Sequence, residues 1–235
     1  MKQETDRWDQ MIAAVGYPAS PPCPNTPHLP ETPWDALGPI IREKVVVEGR
    51  TFVVARPDES DRLLDHPVIR SAFARDEYLP YWTELWPAAR MLAKVIIREA
   101  WAPGLEALEV GCGLGLPGIA ALSCGLKVTF SDYDGTALRF AADNARANGF
   151  DDFQVLQLDW RFPPPNCQVP VLLASDLMYE LRNVEPLAAF IKKVLAPGGL
   201  CLLADQERVP GGTIRKALNA AGLVFMTRRV RAGEP

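Results

Sequence analysis

Two rhythms of apolar positions alternate along most of this chain. Short β-branched runs have the length of strands, and the stretches between them repeat apolar residues at the spacing of an amphipathic helix. Strands are predicted at 105–110 (LEALEV), 126–132, 153–159, 169–176, 200–206 and 223–230. Helices are predicted at 87–101, from the glycine loop to about Gly125, and at 136–148, 184–195 and 212–221. Pro87 suits a first helical position, where its missing N–H costs nothing, and Met91, Leu92, Val95 and Ile96 form one apolar face. Gly149 closes the helix over 136–148, and Pro197-Gly198-Gly199 stops the one over 184–195. This βαβ alternation predicts an α/β fold: a mostly parallel sheet with helices on both faces. In such sheets ligands bind at the carboxyl ends of the strands.

The first third reads differently. Trp8, Met11, Ile12 and Val15 recur at helical spacing over residues 4–15, and Gly16 can end that helix. Residues 18–33 hold seven prolines, which predicts an extended arm without helix or ladder. EKVVVEGRTFVVARP (43–57) reads as a β-hairpin turned at Glu48-Gly49-Arg50, with short helical pieces in DESDRLLD and VIRSAFARDE behind it. The expected organisation is an N-terminal helix and proline-rich arm (1–33), a hairpin with short helices (34–82) packed on the main domain, and the βα domain itself (83–235).

Composition narrows the function classes. The chain has 235 residues, 48% of them hydrophobic and 23% charged, with a net charge of -4. That balance supports a sizeable core and disfavours a broad nucleic-acid or anionic-membrane footprint. No apolar run approaches the ~20 residues of a membrane span, and MKQETDRWDQ carries no secretory h-region. Five scattered cysteines without a CxxC pair read as reduced, so a cytoplasmic protein is expected. His28 and His66 are the two histidines, and neither HExxH nor GxSxG occurs, which excludes the usual metal-hydrolase and serine-hydrolase layouts.

The candidate chemistry sits in LEVGCGLGLPG (108–118). A strand ends, Gly111, Gly113 and Gly115 follow, and a helix begins near Pro117. Gly113, Gly115 and Gly118 also spell GxGxxG, with Asp132 ending the next strand, so a nicotinamide dinucleotide site is one reading. Glu109 opposes it, because a pyrophosphate there would meet like charge, whereas the ammonium and sulfonium of S-adenosyl-L-methionine would not. Asp132 can accept hydrogen bonds from ribose hydroxyls in either case.

At these residues the chain resembles the class I, seven-strand S-adenosylmethionine-dependent methyltransferases, whose Rossmann-like fold matches the predicted one. LEVGCGLG, VTFSDYD and LDW (158–160) match their first three motifs. PYWTELWPAARMLA, SDYDGTALRFAADNARANG and SDLMYE (175–180) resemble the protein lysine methyltransferase-like group, which includes the electron transfer flavoprotein β-subunit enzyme and bacterial relatives. The resemblance covers about residues 43–225. That group ends in an antiparallel strand pair, and the last strand would begin where this sequence stops, at RRVRAGEP.

The resemblance implies that Trp86, Glu109, Gly111, Gly113, Gly115, Asp132, Tyr133, Asp159, Trp160 and Ser175 bind the cofactor. Trp86 and Glu109 would stand near the methionine end, Asp159 at the adenine amino group and Trp160 against the ring. It implies catalytic roles for Asp176 and Tyr179, where the transferred methyl should emerge. Plainer roles stand beside these: Trp86 as a core residue, Asp159 as a turn cap, Asp176 as a helix N-cap with Tyr179 packing, and Tyr81 and Trp82 as packing or cleft rim. The implied activity is N-methylation, on a protein lysine or else on a small molecule. A nicotinamide-dependent oxidoreductase and a silent cofactor-binding module are the competing classes. Neither nucleic acid, membrane nor metal is expected as a partner.

Overall fold

The computed structural model describes residues 32–165 and 167–231. The helix expected at 4–15 and nearly all of the proline arm lie outside them. The hairpin forms from β1 (Ile40–Val47) and β2 (Arg50–Pro57), paired antiparallel with Val47 opposite Arg50. Glu48 and Gly49 turn the chain with φ of 49° and 72°, the two left-handed residues that a tight hairpin needs. A 3-10 turn (Ser60–Asp65) and helix α1 (Pro67–Asp76) follow, and another 3-10 turn (Tyr81–Thr83) leads to α2 (Pro87–Arg98).

The remaining elements are β3 (Glu106–Val110), α3 (Leu116–Leu122), β4 (Lys127–Asp132), α4 (Gly135–Ala147), β5 (Gln154–Gln157), β6 (Val169–Ser175), α5 (Leu181–Val194), β7 (Leu195–Ala204) and α6 (Gly211–Ala220). The sheet order is β5-β4-β3-β6-β7, with every pair parallel. The chain winds outward through β4 and β5, then returns to place β6 on the other side of β3. This reversal opens a crevice above the carboxyl ends of β3 and β6. One face carries α2, α3, α4 and the hairpin around Leu92, Ile96, Ile119, Phe130 and Val54. The other carries α5 and α6 around Leu172, Leu187, Phe190 and Ile191.

Two asparagines one helical turn apart dock the hairpin. Asn148 of α4's C-terminus accepts from Val53 N at 2.9 Å and donates to Val53 O at 2.8 Å. Asn144 accepts from Ala55 N at 2.7 Å, donates to Ala55 O at 3.1 Å, and donates to Leu114 O at 3.0 Å. The carboxamides thus act as a strand would, pairing alternate residues along the edge of β2.

Three expectations are corrected. No strand forms at 223–230: Leu223 and Phe225 pack on the second core while Val224 is fully exposed, so the two-residue alternation is real but has no ladder partner among the described residues. The helix over 184–195 ends at Val194, and β7 begins at once, because Leu195 already pairs with Val169; Pro197–Gly199 lie inside that strand beside a register shift. The five cysteines are not all reduced. Cys112, Cys124 and Cys201 are free, but Cys167 is disulfide-bonded. Among the described residues, no helix is long and apolar enough to cross a membrane.

Candidate active site

A cavity of about 360 Å³ opens over the carboxyl ends of β3, β4 and β6. Its floor is the glycine loop. Gly115, at φ 81°, lies so close to α4 that a Cβ there would fall 2.9 Å from the Ala141 methyl. Gly118 lets α3 press onto β4, since its Cβ would meet the Phe130 ring at 2.4 Å. Asp132 closes the floor by accepting from Gly113 N at 2.8 Å and Asp134 N at 3.0 Å. Burial pushes its carboxyl up to about 6 despite those donors.

Gly111, Gly113, Gly115, Asp132, Tyr133, Asp159, Trp160, Ser175, Asp176, Tyr179 and Trp86 all line the cavity. Glu109 does not, which corrects its expected place near the methionine end. Strand geometry sends its side chain sideways beneath the loop, where Oε2 accepts from Gly118 N at 2.9 Å. It is 1% exposed, its other oxygen has no partner among the described residues, and burial pushes the carboxyl well above the usual range. Glu109 therefore supports the loop from below and does not face the cavity.

Gly113, and not Glu109, disfavours a pyrophosphate here. A phosphate on a glycine loop needs free backbone N–H groups, and the Gly113 N–H already serves Asp132.

The end of the cavity beyond β5 holds Asp159, 5% exposed and gripped by Arg161, whose Nε and Nη2 lie 2.9 and 2.7 Å from its Oδ2. The same guanidinium stacks over Tyr133 at 5.3 Å. The opposite end is aromatic. Tyr81 meets Trp86 and Tyr179 edge-on, with centroids 6.1 and 5.2 Å apart. Burial raises the Tyr179 hydroxyl to about 12, so it stays protonated at neutral pH. Asp176 sits among these groups at φ 53°, an uncommon conformation for a residue with a Cβ. It does not cap the helix that follows, whose N-cap is Glu180, but Oδ2 accepts from Ala88 N of α2 at 3.3 Å.

The segment 77–86 roofs the cavity, and Asp134 secures it. This fully buried carboxylate caps α4 through Thr136 N at 2.7 Å. It also accepts from Trp82 Nε1 at 3.1 Å, Thr32 N at 3.0 Å, and the hydroxyls of Thr32 and Tyr78. Thr32, counted with the arm by sequence, is 1% exposed and belongs to this junction.

Sequence reasoning passed over Tyr78, Asp134, Arg161, Gln206 and Arg208. Arg161 had a local signal, standing two residues after Asp159. Asp134 had one as an N-cap, but its other partners are distant in the chain.

The fold and crevice define a Rossmann-like α/β domain of the methyltransferase kind. The chain belongs to the lysine methyltransferase family, whose model matches residues 81–226. Family membership carries S-adenosyl-L-methionine as cofactor, and the cavity fits it: a phosphate-free ligand makes no demand on the Gly113 N–H, and Asp132 remains able to accept from hydroxyls.

Curated relatives agree on methyl transfer and differ in acceptor. The Histidine protein methyltransferase 1 homolog of Dictyostelium discoideum is 35% identical over 121 residues, covering 48% of this chain and 39% of that protein. The histone-arginine methyltransferase METTL23 of Rattus norvegicus is 28% identical, covering 57% of this chain and 63% of that protein. Ribosomal protein L11 methyltransferase of Photobacterium profundum is 37% identical over 97 residues, covering 41% of this chain and 32% of that protein. The matches thus span about a third to two thirds of those relatives. A methyltransferase-like protein, SMU.776, solved with S-adenosylhomocysteine, shares the fold at a TM-score of 0.55 and 13% identity, covering 77% of this chain and 46% of that one.

Proposed function

We propose that this protein is an S-adenosylmethionine-dependent N-methyltransferase acting on a protein lysine. One observation carries the reading: Asp176, a buried hydrogen-bond acceptor, is framed by the aromatic groups of Tyr81, Trp86 and Tyr179 at one end of the cavity that the glycine loop floors. The cofactor supplies an electrophilic methyl on a sulfonium. The chain's task is to hold the acceptor nitrogen in line with it, and such positioning accounts for much of the acceleration.

Asp132 offers acceptor oxygens to the ribose, and Asp159 with Trp160 bounds the adenine end. At the other end Asp176 receives an N–H of the acceptor and fixes its lone-pair direction. Tyr179 contributes a protonated hydroxyl and a ring face, and the ring tolerates the methylated, still cationic product. A lysine must enter neutral from a free pKa near ~10.4, and partial burial between the aromatic rings pushes it down.

A labelled-methyl assay on mixed cellular proteins, followed by acid hydrolysis, tests the reading. Label in methyl-lysine is expected. Label in methyl-histidine or methyl-arginine would replace the acceptor, and label confined to small molecules would replace the substrate class.

A further inference from the structure

The loop after β7 reaches the site from outside the cavity wall. Gln206 donates its Nε2 to Asp176 Oδ2 at 2.6 Å. Arg208 places Nη1 3.5 Å from Asp176 Oδ1, and its guanidinium lies 4.7 Å from the centre of the Trp86 ring. The backbone brings these groups together at some cost. Asp176 N bonds Ala204 O at 2.9 Å, so the ends of β6 and β7 stay side by side. Just beyond them Asp176 and Glu207 both hold left-handed φ, 53° and 56°. Residues with a Cβ keep such angles only where the surroundings enforce them, and such strain clusters at functional sites.

The oxygens of Asp176 are not equivalent. Oδ2 accepts from both Ala88 N and Gln206, which fills its two lone pairs. Oδ1 has the long Arg208 contact and one lone pair left for a ligand. The loop itself carries two acids, Asp205 and Glu207. Asp205 Oδ1 accepts from Glu207 N at 2.6 Å to shape the turn, and burial raises the Asp205 carboxyl while the charge of Arg208 draws it down. Among the described residues, the carboxylate within ion-pair distance of the guanidinium is Asp176.

We propose that Arg208 is a positioning and charge-compensating residue: it sets Trp86 and Asp176 in place and neutralises Asp176, so that Oδ1 accepts a hydrogen bond from the acceptor nitrogen without holding it as ammonium. This rests on the methyltransferase reading and goes beyond it. An isolated carboxylate beside the methyl-transfer end would stabilise the protonated, unreactive amine. A carboxylate–guanidinium pair keeps the acceptor lone pair while removing most of that bias.

The test needs no known acceptor. S-adenosylmethionine and S-adenosylhomocysteine differ by the sulfonium charge, so their affinity ratio reads the charge at this end. Calorimetry on the full chain is expected to show that Arg208→Met raises the preference for the sulfonium about three- to tenfold, the effect of one uncompensated, partly screened carboxylate several ångströms away. Asp176→Asn is expected to lower the preference, and Arg208→Lys, which restores the charge, to return it to within about twofold of the parent. An unchanged ratio in a folded Arg208→Met chain that binds both ligands overturns the proposal. If that variant fails to fold, Asp176→Asn decides, and an unchanged ratio there overturns it equally. Failure of the parent chain to bind either ligand is a separate result: it removes the methyltransferase reading and this inference with it.

Discussion

Replacing Asn144 with leucine should undo the joint between hairpin, helix and glycine loop while keeping the branched shape and the number of side-chain heavy atoms. The carboxamide is fully buried and makes three bonds, all to main chain: Ala55 N at 2.7 Å, Ala55 O at 3.1 Å and Leu114 O at 3.0 Å. Leucine leaves one N–H and two carbonyls without partners. An intramolecular hydrogen bond contributes about 1 kcal/mol net, and stranding a buried group costs about 1–3 kcal/mol. Ala55 is only half-buried, so water relieves part of its loss. The expected destabilisation is about 3–5 kcal/mol, a large share of a typical domain's stability.

Asn148 is the internal control. It pairs with Val53 in the same way but is half-buried, so Asn148→Leu should cost about 1–2 kcal/mol. Asn144→Asp should fall near the leucine variant, because a carboxylate accepts from Ala55 N but repels both carbonyls. Urea unfolding, followed by the shift in midpoint at constant slope, measures all three. S-adenosylhomocysteine affinity should weaken in the Asn144 variants alone, since Leu114 O is part of the loop. A cost below about 1 kcal/mol for Asn144→Leu, or equal costs at the two asparagines, would refute the strand-mimic account.

Other outcomes follow from the cavity. Asp132 has its carboxyl raised to about 6 by burial, and a ribose hydroxyl needs it ionised; cofactor affinity should therefore weaken as pH falls through about 6, and Asp132→Asn should flatten that dependence. The sign for stability is opposite: the ligand-free fold binds this proton more tightly than an unfolded carboxyl of about 3.9, so the contribution of Asp132 falls as pH rises between those values. Gly115→Ala, forced to φ 81° against Ala141, should lower the melting temperature and abolish most cofactor binding in calorimetry. Tyr78→Phe deletes one hydroxyl from the Asp134 junction; it should cost about 1–2 kcal/mol in unfolding and loosen cofactor binding a few-fold, and an unaltered affinity would show that the roof is held without it.

Local chemistry determined much of this protein before any tertiary contact was known. The two hydrophobic periods place the five parallel strands and their helices, because amphipathic spacing follows from backbone geometry. The glycines of 111–118 mark a strand-to-helix turn that no other residue could make so tightly, and Asp132, Asp159 and Asp176 stand at strand ends, where ligand edges lie. Side-chain direction and partner choice were not legible. Glu109 reads as a charge facing a ligand, yet the pleat turns it beneath the loop. Residues 223–230 carry a strand's alternation, but a strand also needs a neighbour's backbone, which sequence does not display. Asp134 gathers Thr32, Tyr78 and Trp82 from as far as 102 positions away. Arg208 and Gln206 meet Asp176 only because β6 and β7 are neighbours in the sheet. A sequence specifies what each residue prefers locally, and only the folded sheet decides which distant groups share a carboxylate.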